Sequence, residues 1–600
     1  MYFPTILVDY ILTLSVFTAL RISFILLNPL ETLHHSSHLW LTAFFFGLRL
    51  DLIITFYVVS IIHLTAKLTR LPFIRKAGLF VFLTIAIIFS FIDTHYYKFA
   101  KERIGYELFW QLSGNNNIPL TTYFSGYWLS IILILLTGIV LFFTIKKLPS
   151  INKKHYWVPT ILALCVTFIL ARGGIRLKPI RTADATLYVS PEYIPYSNNT
   201  LLNIIESWSN PMIAPEFIKD NPTTSLTKNF SADTLATYNF VIIVLESFGK
   251  EYTGLNRGFT HTYTPFLNSL FSKSIVCHNA YANGLKSVDA VPAIFAGIPK
   301  LGPSSFINSS KSISKNSSLF LHLKELNYTS SFFHGADNNS MGFRSFLLSQ
   351  GLDQYYGINE YPNKKTDYDG HWGIFDQPYF DYVADIISEQ KQPFISGIFS
   401  LSSHHPYVLP DSLTRKFIKG DIPIHRSVQY TDFALQTFFE KVKTKPWFDN
   451  TIFIITADHS GENLLHSYRT PSGKYEVPMI LYAPTIFEPN NFRNTVSHID
   501  IPPTILDIVN SPKPINLLGE SIFNNSKPRS VFHYDNNTYH STQDSINIGI
   551  NGKDVLFHYN KSNDINCLIN LSGTDTATEQ EFTQNIKQSV ANYYYFLSKD

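Results

Sequence analysis

The chain is poor in cysteine, poor in charge and without an excess of either sign. Its 600 residues include three cysteines, Cys165, Cys277 and Cys567, whose scatter excludes a disulfide framework or a cysteine metal site. Lys and Arg number 48 against 45 Asp and Glu, a net charge of +3, so nothing points to a nucleic-acid partner. Charged residues make up only 16% and hydrophobic ones 45%, and that average hides a division. Residues 1–172 are strongly apolar; the rest reads as a globular sequence rich in Asn, Ser and Thr. At this length at least two structural units are expected.

A bilayer-spanning helix needs about 20 predominantly apolar residues. Five stretches are expected to span: Phe3–Leu27, Leu39–Leu64, Ala77–Tyr97, Tyr127–Ile145 and the shorter Tyr156–Ala171. The first has no basic start or small-residue cleavage site and reads as a retained span, not a signal peptide. Lys67, Arg70, Arg75 and Lys76 separate spans two and three, and Lys146, Lys147, Lys153 and Lys154 separate four and five. Asn28–His38 carries no Lys or Arg, so the basic loops and the N-terminus are expected inside and everything after span five outside. Arg172, Arg176, Lys178 and Arg181 run against this, but charges beside a large translocated domain weigh less. Arg49 and Asp51 fall inside span two, where ionisable groups are costly; they either pair structurally or line a lipid head-group path. Lys98–Gly126 mixes aromatics with charges and is expected along the outer surface.

Residues 173–235 read as a linker with one short helix at Leu201–Trp208. Over 236–526, short β-rich runs alternate with helical patterns, the signature of an α/β doubly wound, mostly parallel sheet. Residues 527–600 contain strand-like runs Ile546–Ile550 and Asp554–Tyr559 about the turn Asn551-Gly552, expected as a small antiparallel sheet and a C-terminal helix. No chemistry is legible in that tail. It is legible at the strand ends. Phe240–Leu245 ends at Glu246, Tyr328–Phe333 at His334-Gly335, Phe394–Leu401 at Ser402-Ser403-His404-His405, and Thr451–Ala457 at Asp458-His459. Singly, each is a cap or a satisfied polar residue. Together they deliver carboxylates and imidazoles to the carboxyl edge of one sheet, where ligands bind in open α/β folds.

These residues lie in motifs: Val244-Leu245-Glu246-Ser247, Gly284-Leu285-Lys286-Ser287-Val288-Asp289, Phe333-His334-Gly335, Ser403-His404-His405-Pro406-Tyr407, Ala457-Asp458-His459-Ser460-Gly461, Tyr430-Thr431-Asp432 and Ile499-Asp500-Ile501-Pro502-Pro503-Thr504. In this order, after an apolar N-terminal half, the chain resembles the lipoteichoic-acid-synthase type of the sulfatase and alkaline phosphatase superfamily. The resemblance implies that Glu246, Asp458 and His459 hold one divalent metal, with Ser287 as nucleophile and fourth ligand. Two carboxylates and an imidazole suit Mn²⁺ or Zn²⁺, with Mg²⁺ a further option. It also implies His404 at the substrate, with His405, Lys286, His334 and Arg344 as further substrate-binding candidates. The expected activity is transfer of a phospho-head-group, phosphoglycerol by resemblance, from a membrane phospholipid to an envelope glycolipid or glycan. The expected location is a bacterial inner membrane, multi-pass, with the catalytic domain periplasmic or extracellular.

Two departures bear on the substrate. Ser287 stands where many relatives carry Thr, and the family's Trp-x-Arg element after His-Gly is not evident in Asn338–Arg344, although Arg344 can stand in for the arginine. Phosphoethanolamine transfer is the nearest alternative, disfavoured because those enzymes carry several outer disulfides. Sulfatase-type hydrolysis needs C/S-x-P-x-R, and Ser287-Val288-Asp289-Ala290-Val291 does not supply it. A non-catalytic envelope scaffold is disfavoured by the joint presence of Glu246, Ser287, Asp458 and His459.

Overall fold

The computed structural model describes residues 5–29, 37–100, 103–105, 120–149, 157–172, 185, 189, 193–209, 226–230, 235–256, 263–308, 318–524, 528–552 and 554–598. It falls into two compact units, one of residues 1–108, 119–211 and 535–538, the other of 109–118, 212–534 and 539–600.

In the first unit the apolar stretches are helical, the conformation in which a segment satisfies its own backbone groups where hydrocarbon offers none. Helices α1 (Thr5–Leu27), α2 (Ser37–Thr69), α3 (Pro72–Ala100) and α4 (Leu120–Lys147) are, among the described residues, the four long and apolar enough to cross a membrane. The expected fifth span is instead α5 (Trp157–Ala171), of 15 residues. At 1.5 Å per residue it is about 22 Å long, short of a hydrocarbon core of about 30 Å. Most of the expected surface segment Lys98–Gly126 lies outside the described residues, as do Lys153, Lys154, Arg176, Lys178 and Arg181.

Buried charges in this unit are paired between elements, as a low-dielectric interior requires. Asp9 on α1 accepts from Arg75 on α3 at 2.5 and 2.7 Å and lies 3.0 Å from His63 Nδ1. Asp51 accepts from Arg21 Nη2 at 2.7 Å and from Asn199 Nδ2 at 2.8 Å. The expected pairing of Asp51 with Arg49 does not form: residues two apart point to different sides of a helix, and Arg49 is exposed. Gly47 makes room for the Arg21 guanidinium, since a Cβ there would lie 2.4 Å from Arg21 Cζ. Asp93 accepts from Arg103 Nε at 2.6 Å and Thr200 Oγ1 at 2.7 Å. At the basic end Lys67 Nζ donates to Thr160 Oγ1 at 2.7 Å. Asp51 and His63 lie about 18 Å apart along α2, so residues 196–200 sit at the end of the bundle away from Lys67 and Arg75.

The second unit is built on an eight-stranded sheet. Its strands are β2 (Asn239–Leu245), β3 (Ser274–Tyr281), β4 (Thr329–His334), β5 (Gln354–Tyr356), β6 (Phe394–Phe399), β7 (Thr451–Ala457), β8 (Met479–Tyr482) and β9 (Asn490–Ser497). The order is β5-β4-β6-β2-β7-β8-β3-β9, all parallel neighbours except β8, which runs antiparallel to β7 and β3. A two-residue β1 (Thr227–Lys228) pairs with β10 (Ile515–Asn516). The continuous apolar run of β2 is explained by burial on both faces. Phe240, Ile242 and Val244 enter one core, and Val241, Ile243 and Leu245 enter the other. Helices Ser287–Ala296 and Ile501–Ile508 cover the first face; Asp376–Ser388 and Ile424–Val442 cover the second. The consequence for chemistry is the adjacency β4-β6-β2-β7, which brings four polar strand ends to one edge.

The tail folds as read: β11 (Val531–Asp535), β12 (Thr538–Gln543), β13 (Ile546–Asn551) and β14 (Asp554–Asn560) form a four-stranded antiparallel sheet in sequence order. Helix Thr576–Ser598 packs on it through Phe582, Ile586 and Val590.

Candidate metal and nucleophile site

Strand pairing builds the first half of the site. Leu245 of β2 is paired with Ala457 of β7, so the next residues, Glu246 and Asp458, emerge side by side. The turn after β2 is locked locally. Ser247 takes a left-handed backbone, φ 53°, which is costly for a non-glycine residue and persists where surroundings over-determine it. Its N–H donates to Asp458 Oδ1 at 2.7 Å, and its hydroxyl to Glu246 Oε1 at 2.8 Å. The Glu246 N–H donates to Ser400 Oγ at 2.8 Å, and Ser403 Oγ donates to the Glu246 carbonyl at 2.5 Å. The loop after β6 therefore braces the loop after β2.

Ser287 arrives from the other direction, as first residue of helix Ser287–Ala296. Its hydroxyl donates to Glu246 Oε2 at 3.1 Å. A helix N-terminus is electropositive and suits an arriving phosphate. The loop can approach its own helix this closely because residue 284 is glycine: a Cβ there would lie 2.2 Å from Asp289 Cβ.

His459 completes a trio. Carboxylate oxygens of Glu246 and Asp458 and a ring nitrogen of His459 all lie within 4.8 Å of one another, and all three residues are buried. His459 Nδ1 donates to the Ser460 carbonyl at 2.8 Å, which fixes the tautomer and leaves a lone pair on Nε2. That nitrogen lies 3.2 Å from Asp458 Oδ2 and 3.7 Å from Glu246 Oε1, and Asp458 Oδ2 has no hydrogen-bond partner among the described residues. Lone pairs converging on one point in a buried space repel unless a cation lies between them, so this donor set fits a divalent metal. Burial, and then the neighbouring Asp458 carboxylate, push the Glu246 carboxyl well above its usual range.

The remaining candidates divide. His404 Nδ1 donates to the His405 carbonyl at 2.8 Å, leaving Nε2 as an acceptor, and burial is the main cause that lowers the ring to about 4. Residue Trp372, which sequence reasoning missed, places its ring 4.4 Å from that of His404 and donates from Nε1 to the His405 carbonyl at 2.7 Å. No local signal marks Trp372; its loop is held by the Asp369 carboxylate, which accepts from the N–H groups of His371, Trp372 and Gly373. His334 is fully buried against Phe343 and Phe399, lowered to about 3 mainly by burial, and so is packed into the core instead of lying open to a head group. Lys286 and His405 are half-buried, and Arg344 is exposed with no described bond to the site.

The motif Tyr430-Thr431-Asp432 is architectural. Thr431 Oγ1 donates to Asp376 Oδ2 at 2.7 Å, and Asp432 caps helix Pro265–Phe271 by accepting from the N–H groups of Phe266 and Leu267. Asp376, also missed, accepts from the N–H groups of Leu401 and Ser402 and thereby sets the turn that carries His404.

Residues 238–511 match the sulfatase family profile. The lipoteichoic acid synthase-like protein YvgJ of Bacillus subtilis (strain 168) is 24% identical over 273 residues, 41% of this chain and 43% of that protein. Phosphoglycerol transferase I of Escherichia fergusonii is 29% identical over 240 residues, 38% of this chain and 31% of its own. The chain thus spans less than half the length of these curated relatives. The crystal structure of the lipoteichoic acid synthase LtaP from Listeria monocytogenes shares the fold, with TM-score 0.52 at 18% identity over 60% of this chain and 92% of that one. With its sheet, its strand-end cluster and these relatives, the domain over residues 238–511 is a sulfatase-family domain related to lipoteichoic acid synthases and phosphoglycerol transferases.

Proposed function

We propose that the protein transfers a phospho-head-group, phosphoglycerol, from a membrane phospholipid to an envelope glycolipid or glycan through a covalent intermediate on Ser287. The observation that carries this reading is the 3.1 Å hydrogen bond from Ser287 Oγ to Glu246 Oε2, which joins a buried hydroxyl at a helix N-terminus to the metal-fitting trio. Glu246, Asp458 and His459, with Ser287 as fourth donor, would hold the ion, Mn²⁺ in this reading and Zn²⁺ or Mg²⁺ as alternatives. A divalent ion there supplies charge that lowers the pKa of a neighbouring hydroxyl and neutralises phosphoryl oxygens.

In the first half-reaction Ser287 Oγ gives up its proton and bonds to phosphorus, while the phosphorus–oxygen bond to the lipid alcohol breaks and that alcohol leaves protonated. In the second, an acceptor hydroxyl replaces Ser287 Oγ on phosphorus. His404, neutral and with Nε2 as an acceptor, suits taking the proton of that incoming hydroxyl. The outer face of the membrane is the side we assign to the catalytic unit. Supporting this, residues 196–200 lie at the bundle end away from Lys67 and Arg75, whereas basic loops face the cytoplasm.

Incubating the protein with vesicles of head-group-labelled phosphatidylglycerol mixed with phosphatidylethanolamine and weighing it intact tests the reading. A glycerol-phosphate adduct on Ser287 is expected, abolished in Ser287→Ala and by chelation, and restored by Mn²⁺. Wild-type head-group release by Ser287→Ala would refute the nucleophile, and an ethanolamine-phosphate adduct would refute the donor.

A further inference from the structure

Away from the metal-fitting trio, the second unit carries a half-open cavity of about 490 Å³ between the loops after β3 and β9, the C-terminal sheet and helix Thr576–Ser598. That volume lies in the range of small-ligand sites, about 300–1,000 Å³. We propose that this cavity binds a neutral glycosyl unit of the acceptor, its role resting on the phosphotransfer reading above.

Arg529 is the observation that points to a ligand. It lines the cavity, is 8% exposed, and donates from Nη2 to the Glu520 carbonyl at 2.6 Å and to Asp500 Oδ1 at 3.3 Å. Its Nη1 is buried without a hydrogen-bond partner among the described residues. An unsatisfied donor on a buried charged group is expensive; the atom is sealed from the cavity as the side chain stands, so a turn of the guanidinium toward the cavity brings it to a ligand oxygen. Two more donors line the same space. Asn283, 2% exposed, uses its Oδ1 to accept from the Ile499 N–H at 3.1 Å, which leaves the Nδ2 protons to give. Gln543 accepts from Ser530 Oγ at 2.8 Å through Oε1, which leaves its NH₂ group likewise.

Charge then selects the ligand class. Asp500, Glu520 and Glu581 line the cavity against the single cation Arg529, so a phosphate or another anion meets a net negative wall. Side-chain amides from three directions, those of Asn283, Gln543 and Asn585, with Leu301 and Phe532 as apolar patches, match a molecule with hydroxyls on its rim and C–H faces between them. A neutral sugar has that character. Asn283 belongs to the loop that leads into Ser287, and Ile499 and Asp500 follow β9 beside it. The cavity is therefore built on the same loop as the nucleophile, where a glycan held by one residue can present a hydroxyl further along its chain.

The test uses the full chain in a detergent without a sugar head group, with cellobiose and maltose as probes and saturation-transfer NMR as the readout. Saturable binding of at least one disaccharide is expected. Gln543→Ala should weaken it by roughly tenfold, the worth of one hydrogen bond, and Ser589→Trp, which fills the cavity, should abolish it. Absence of saturable binding, unchanged binding in both variants, or displacement of the sugar by inorganic phosphate would overturn the proposal. Wild-type protein that binds the disaccharide but releases no head group from lipid refutes the phosphotransfer reading and upholds the sugar site.

Discussion

Asp376 offers the sharpest quantitative check on how the site is held. Its carboxyl is 1% exposed. Oδ1 accepts from the Leu401 N–H at 2.6 Å and the Ser402 N–H at 3.2 Å, and Oδ2 from Thr431 Oγ1 at 2.7 Å. Burial nevertheless outweighs these bonds and pushes the carboxyl up to about 6, against 3.8 for an ordinary aspartate. A raised value means that the native state keeps a proton which the unfolded chain has lost. Stability from this group is complete below about pH 4 and is lost as the pH climbs through about 6. The difference amounts to roughly 3 kcal/mol. Asp376→Asn keeps an acceptor for both N–H groups and escapes ionisation. It should match the wild type near pH 4 and exceed it by up to roughly 3 kcal/mol at pH 7.5, a rise of about 3–6 °C in the melting of the catalytic unit. Asp376→Ala strands two buried N–H groups and should fall about 2–5 kcal/mol below the Asn variant at either pH. It should also lower kcat while metal affinity stays, because it frees the turn carrying His404. Thermal melts of the full chain in detergent at pH 4 and 7.5, with metal titration, decide it. An Asn-minus-wild-type difference that does not change with pH would refute the argument.

Glu476 makes the opposite pH prediction. Burial pushes its carboxyl up, but Lys250, 2.9 Å away, and Lys561 hold it well below the usual carboxylate range. Its contribution is present above about pH 4.5 and is lost as the pH falls; acid titration of Glu476→Ala should lack that transition and start about 3–5 kcal/mol less stable, with two ammonium groups left buried. In the bundle, Asp51→Ala should cost several kcal/mol of thermal stability in detergent by leaving Arg21 without its carboxylate. Arg49→Ala should shift stability by no more than about 0.5 kcal/mol, as an exposed residue; equal losses in both would restore the Arg49–Asp51 pairing.

The strands that matter were legible because a doubly covered parallel strand leaves a continuous apolar run, and the candidate site residue is the next one along. Phe240–Leu245 followed by Glu246, and Thr451–Ala457 followed by Asp458-His459, needed only that local rule. Ser287 was legible through its motif, and the tail through its turn and alternation. The fifth apolar stretch, Tyr156–Ala171, misled because its composition is that of a span although its length is not: α5 has 15 residues, against the about 20 that a span needs. His334 misled in another way: a polar residue at a strand end reads the same whether it faces solvent or, as here, Phe343 and Phe399.

What the chain decided by itself was the apolar half, the identity of the strands and the type of chemistry each strand end brings, since periodicity and composition are local properties. Only the tertiary fold decided which ends meet. The order β4-β6-β2-β7, the reach of Ser287 to Glu246, the choice of Arg21 over Arg49 as partner of Asp51, and the seating of Trp372 on His404 all join residues far apart in sequence. Such contacts depend on how layers pack and which buried charges find a partner, and the linear pattern carries neither.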